Sequence, residues 1–176
     1  WSGVQAVLFA IIAIMIYIWF RFEWQFGIGA IIALCHDVIS TIGLFALFQF
    51  EFNLSTVAAV LTIAGYSIND TVVVYDRVRE NLRKYKTKPL NELLNESINQ
   101  TLSRTVMTSV TTLIALAALY VLGGAVIADF SFAMIFGVLI GTYSSICLAV
   151  PMLLHLDLDR NPVDEDESKD AVTDAS

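Results

Sequence analysis

Five apolar stretches, each close to the length of a bilayer crossing, constrain this chain more than any other feature of its sequence. They fall near residues 4–20, 26–50, 54–74, 106–128 and 130–156. The hydrocarbon layer is about 30 Å thick and a helix rises about 1.5 Å per residue, so about 20 mostly apolar residues cross it. In that medium every backbone N–H and C=O must be satisfied within the protein, which leaves only helices or closed barrels. The runs are continuous rather than alternating, which favours helices. The composition agrees: 57% of residues are hydrophobic and the mean hydropathy is +0.71, against about 45–50% apolar residues in an ordinary soluble domain. The predicted class is an all-α membrane protein with five transmembrane helices and a short amphipathic helix in its one long connection.

Charge supplies the orientation. The net charge of −7 is concentrated in the tail at 157–176, which holds eight acids and two bases. A segment of that composition cannot bury enough apolar surface to order itself and is predicted to be a disordered cytoplasmic end. A five-helix path puts all ten Lys and Arg on one side: Arg21 after the first run, seven more between Arg77 and Arg104, and Arg160 and Lys169 in the tail. The opposite connections, around Glu51 and Asp129, carry none. The positive-inside rule then predicts a cytoplasmic C-terminus and an N-terminus on the outer side. The first residue is Trp1 and no secretory signal precedes the first run, so an upstream spanning helix is expected. Cys35 and Cys147 both fall inside apolar runs, where a thiol acts as a small hydrophobe.

The long connection at 75–105 is predicted to extend the third helix, break around Lys86-Thr87-Lys88-Pro89, and resume as a second helix. There Leu90, Leu93, Leu94 and Ile98 form one apolar stripe, as in an amphipathic helix lying along the inner surface. No phosphate loop, metal-ligand spacing or nucleophile–base pair is legible, so the chain reads as non-enzymatic and without cofactor or metal. Its bases are explained by topology, with no nucleic acid implied.

The informative residues are those that do not belong in lipid. An acid at the centre of a membrane helix costs about 2.5–3.5 kcal/mol on insertion scales and so tends to face protein or water and to carry function. His36 and Asp37 lie mid-way along the second run; the pair reads equally as a proton site or as a hydrogen-bonded pair that orders packing. Asp70 lies near the inner end of the third run beside Asn69, at the margin of a polar, small-residue face formed by Thr62, Gly65, Tyr66 and Asn69, with Ser67 close by. Arg104 opens the fourth run at a similar depth, followed by Thr108 and other hydroxyl residues. A carboxylate whose protonation is set by desolvation on one side and an arginine on the other is suited to coupling proton passage to helix motion. In the fifth run Gly137 and Gly141 form a GxxxG packing pattern that Ser144 and Ser145 extend.

These residues carry a resemblance. The stretch Ile63-Ala64-Gly65-Tyr66-Ser67-Ile68-Asn69-Asp70-Thr71 and its continuation to Asn81 closely resembles the SecF branch of the SecD/SecF family of bacterial protein-export membrane proteins. His36-Asp37-Val38, Asn99-Gln100-Thr101-Leu102-Ser103-Arg104-Thr105 with Thr108 and Ser109, and Gly141-Thr142-Tyr143-Ser144-Ser145 agree with it. The resemblance implies a bundle of the resistance-nodulation-division type, usually six helices with an external domain between the first two. It implies a multi-pass protein of the bacterial inner membrane that works with SecD, the SecYEG channel, other Sec accessory subunits and a translocating polypeptide. It implies proton-motive force as the energy source, protons being the only coupling ion. On this resemblance the membrane carboxylate is Asp70 and the membrane arginine Arg104. Two other readings stay open from the residues alone: half of a proton-coupled small-solute antiporter of the same superfamily, and a non-transporting assembly scaffold.

Overall fold

The computed structural model describes residues 2–51, 53–156 and 158; apart from Leu158, which packs into the core, the predicted acidic tail lies outside them. Five long helices follow one another: α1 (Ser2–Arg21), α2 (Trp24–Phe48), α3 (Leu54–Lys84), α4 (Leu90–Leu122) and α5 (Ala125–Ser144). A π-helical turn, Ser145–Ala149, joins α5 to the short α6, Val150–His155. Among the described residues four segments are long and apolar enough to cross a membrane: α2, α3, α4 and the rod Ile127–His155. The fifth expected span, α1, is apolar over Gln5–Arg21, which at about 1.5 Å per residue falls a few ångströms short of the full hydrocarbon thickness.

Local chemistry sets where the helices begin and end. Asn53 caps α3: its side chain accepts from the Thr56 N–H at 3.2 Å while the Thr56 hydroxyl accepts from the Asn53 N–H at 3.3 Å, a reciprocal arrangement that satisfies two otherwise orphaned donors. Gln49 ends α2 in a left-handed conformation. The break between α4 and α5 falls at Gly123 and Gly124, the latter at φ 76°, a backbone state that glycine adopts without a Cβ penalty. The sequence runs placed this break between residues 128 and 130. Apolar side chains on both sides of Gly124 hide it from a hydropathy reading, whereas the backbone requirement for glycine determines it.

The connection at 75–105 extends the third helix and breaks before Leu90 as expected, and differs only in where its second helical segment lies. α3 continues without interruption to Lys84, and the amphipathic segment is not a separate helix on the membrane surface but the first three turns of α4, continuous with the fourth span. Its stripe turns inward: Leu93 and Leu94 are buried with Val74, Tyr75 and Val78 of α3, Phe22 and Phe26, and Leu153 of α6. Burial against a ready apolar surface removes more area from water than lying on a headgroup layer. Polar ties reinforce it, with Asn81 Nδ2 donating to Ser97 Oγ at 2.8 Å and Arg77 Nε donating to Gln100 Oε1 at 2.6 Å.

The charges sort to two ends. Arg21 bridges to Asp76 at 3.0 Å and Arg79 approaches Glu23 at 3.9 Å, so the end of α1 meets the extension of α3. At the other end Glu51, Asn53 and Asp129 share a small cleft with Phe45 and Phe130, and no Lys or Arg lines it. Among the described residues three apolar clusters fill the bundle between: one around Leu34, Val38, Val60 and Ala64 joins α2 to α3, and two form layers nearer the ends. One, nearer the basic end, is built around Phe26, Tyr75 and Leu153; the other, nearer the acidic end, around Phe45, Ile63, Met134 and Val138.

Candidate functional site

Between those layers, α3 carries Ser67, Asp70 and Thr71, all buried. α2 brings Asp37 and Thr41 to the same level, and α5 brings Ser144. Close approach of α3 and α5 makes this possible. A Cβ on Gly141 would lie 3.2 Å from the Cβ of Ser67, and one on Gly137 only 2.2 Å from Cγ1 of Ile63. The i,i+4 glycines of α5 thus face the i,i+4 pair Ile63 and Ser67 of α3, and small residues let the two backbones meet.

Asp37 is 0% exposed and fully engaged. Its Oδ2 accepts hydrogen bonds from Ser67 Oγ of α3 and, at 2.6 Å, from Ser144 Oγ of α5. Its Oδ1 lies 3.0 Å from Nδ1 of His36, which donates to an ionised carboxylate when that nitrogen carries the proton. The Thr41 hydroxyl donates to the Asp37 carbonyl at 2.8 Å. One side chain therefore ties three helices together.

Asp70 is different. It is 3% exposed, yet its Oδ2 is buried without a hydrogen-bond partner. Leaving such an oxygen unpaired costs about 1–3 kcal/mol or more, so an orphan of this kind calls for an explanation in function. Arg104 is exposed on α4; among the described residues no ion pair within 4.0 Å joins it to Asp70. The guanidinium borders an open groove with Val73, Asp76, Arg77, Glu80 and Gln100.

The remaining predicted residues divide between inside and outside. The Tyr66 hydroxyl is buried with no partner. Asn69 is exposed one residue from Asp70, and Gly65, expected with Gly137 and Gly141 to serve helix packing, is exposed with nothing within 4 Å of where a Cβ would sit, so it packs against no helix among the described residues. Thr108 is exposed and its hydroxyl donates to the Thr105 carbonyl at 2.9 Å. Sequence reasoning gave Ser144 no role beyond extending the GxxxG face. It also missed a second tie, the Tyr75 hydroxyl donating to the Ala149 carbonyl at 2.8 Å in a notch where a Cβ on Gly29 would come within 2.3 Å of the Tyr75 oxygen. Only the glycine signalled that notch. Among the described residues no His, Cys, Asp and Glu cluster could hold a metal.

The fold and this polar layer define a helical membrane bundle with two carboxylates buried in its interior, one partnered and one not. The chain belongs to the SecD/SecF family: the family model described as protein export membrane protein SecD/SecF, C-terminal, matches residues 1–159. It is 58% identical over 168 residues to the protein translocase subunit SecF of Rhodobacter capsulatus, covering 96% of this chain and 50% of that protein. It is 57% identical over 152 residues to the protein translocase subunit SecF of Rickettsia rickettsii, covering 86% of this chain and 49% of that one. The chain thus spans about half the length of the curated relatives it matches. The crystal structure of SecDF in its super-membrane-facing form superposes with a TM-score of 0.82 at 45% identity, over 97% of this chain and 22% of that one. Kinship and apolar helices together make this a multi-pass inner-membrane protein.

Proposed function

We propose that this chain is the membrane-embedded, proton-coupled part of a SecF-type subunit of the protein-export machinery. It draws on the proton-motive force to assist passage of polypeptides through the SecYEG channel, and is not an enzyme. Asp70 takes up and releases the proton, and Arg104, held nearby without a direct bond, biases which state Asp70 adopts. The single observation that carries this is the buried Oδ2 of Asp70 without a partner. A group left unsatisfied at bilayer depth gains from binding a proton, and from a partner that arrives only in another state of the cycle.

SecD is the partner that completes the site. α3 presents Thr62, Gly65 and Asn69 outward, and α4 presents Thr108 and Thr111. Polar side chains and small residues on a membrane helix favour protein over lipid as neighbour. Protons are the coupling ion and no other cofactor is required. The basic end, where Arg21, Arg79, Arg83 and Lys84 border one groove, faces the cytoplasm, by the preference of positive charge for that side.

The test is Asp70→Asn in the full-length protein with SecD, assayed for export with and without a membrane potential. Loss of the potential-dependent stimulation at unchanged abundance is expected. Full retention of that stimulation removes Asp70 from the role.

A further inference from the structure

Asp37 is buried more deeply than Asp70 and, unlike it, has a complete set of donors. Those donors are two hydroxyls and an imidazole; among the described residues no Lys or Arg lies within 4.0 Å of it. A carboxylate in a bilayer with no fixed cation beside it keeps an uncompensated charge unless a proton joins it. Each element packed on it contributes little else that titrates. α3 supplies Ser67 and, one turn on, Asp70, which makes no hydrogen bond to it. α5 supplies Ser144, and the π turn only Cys147, which is exposed. Among the described residues His36 is the one ionisable group bonded to it, and its side chain is 36% exposed, so one edge of the ring faces away from the bundle while Nδ1 faces Asp37.

We propose that His36 and Asp37 form a second proton-binding site of this chain, with His36 as the entry and Asp37 as the holder; this rests on the proton-coupled reading above. A proton arriving at Nε2 of neutral His36 makes an imidazolium. Its Nδ1 proton then passes to Oδ1 of Asp37. The products are a neutral imidazole protonated at Nε2 and a neutral carboxyl group whose O–H donates back to Nδ1. One proton has entered, and no electron has moved.

Loading this site acts on the first one. Oδ2 keeps Ser67 and Ser144 as donors but loses its charge, and charge-assisted hydrogen bonds are roughly twice as strong as neutral ones. The ties of α3 and α5 to α2 weaken together. Ser144 is the residue immediately before the π turn, which packs on both α2 and α3, and Ser67 lies one turn from Asp70. A π turn leaves its helix with an irregular hydrogen-bond ladder and marks a place where a helix gives. The proton on Asp37 therefore loosens the support of the α3 segment that carries Asp70.

Asp37→Asn separates this from a purely structural clamp. The amide oxygen accepts from both serines and the amide N–H donates to His36 Nδ1, so every hydrogen bond survives and only the titration is lost. In proteoliposomes holding the full-length protein with SecD, infrared difference spectra between neutral and acidic pH are expected to show a protonated-carboxyl band that Asp37→Asn removes and Asp70→Asn keeps. Gradient-driven export in Asp37→Asn is expected to fall to the level seen without a gradient, at normal abundance. His36→Ala keeps the band but slows its appearance after an acid jump roughly a hundredfold, the lower end of what a positioned proton-transfer group contributes. Unchanged spectra or unchanged stimulation in Asp37→Asn overturns the second site. If that variant does not accumulate, an unchanged rate in His36→Ala overturns it instead. Stimulation lost in Asp70→Asn but intact in Asp37→Asn sinks this inference alone, whereas stimulation intact in Asp70→Asn sinks the proton-coupled reading itself.

Discussion

Gly137 and Gly65 look alike in sequence, each a small residue on a membrane helix, and differ entirely in what faces them. A Cβ at Gly137 would lie 2.2 Å from Cγ1 and 2.8 Å from Cγ2 of Ile63. Both branches of a side chain stiff at χ1 block it, so the helices must part before a methyl group fits. Gly137→Ala is expected to destabilise the solubilised protein by about 1–3 kcal/mol, as overpacking of a tight core does. Gly65→Ala meets open space and gains helix propensity of up to about 1 kcal/mol, so it is expected not to lower stability. Thermal unfolding of the two variants in detergent compares them directly. Equal melting temperatures would remove Gly137 from the α3–α5 contact. The same contrast separates the two acids: Asp37 and Asp70 are both buried carboxylates, and only their neighbours distinguish a satisfied group from an orphaned one.

At the scale of elements, α3 and α4 make a long hairpin that projects beyond the bilayer. The Tyr85–Pro89 turn closes it, and Lys88 clasps Glu96 across its base. That bond, with the positive charges of Lys88, Lys84 and Arg77 nearby, holds the Glu96 carboxyl below its ordinary value, and the same bond raises Lys88. For a carboxyl depressed on folding, the stabilisation is complete above the ordinary glutamate range and is lost as pH falls towards the lowered value. Backbone amide exchange at the turn is therefore expected to speed up as pH falls from the ordinary glutamate range downward, after correction for intrinsic exchange. Glu96→Gln should flatten that dependence. A wild-type turn whose corrected exchange is level across that window would show that the clasp contributes nothing there. The pair is on the surface, so its effect is local.

For the whole molecule, the separation of charge is the property most open to experiment. Bases gather at the end with the α3–α4 turn, while Glu51 and Asp129 gather at the other. In a chain whose Cys35 and Cys147 are replaced by Ala, a membrane-impermeant thiol reagent added outside intact cells is expected to label Asp129→Cys and to leave Arg83→Cys unlabelled. Reversed labelling would invert the orientation. The exposed polar face of α3 and α4 belongs to this scale too.

Period, hydropathy and charge are local properties, and they made legible the fold class, the sorting of charge and the residues that are anomalous in lipid, while the helix limits were less so, as the α4–α5 break at Gly123 and Gly124 shows. Asp70, Arg104, His36 and Asp37 all stand out because a polar atom at bilayer depth is costly wherever the helices pack. Which polar atoms meet is instead a matter of how the helices pack against one another. That Asp37 binds Ser67 and Ser144, 30 and 107 residues away, that an oxygen of Asp70 is left without a partner, and that the amphipathic segment is the start of α4 all depend on helix rotation and close approach. Those are set by side-chain interlocking at residues such as Gly137 and Ile63, and no property of a single helix encodes them.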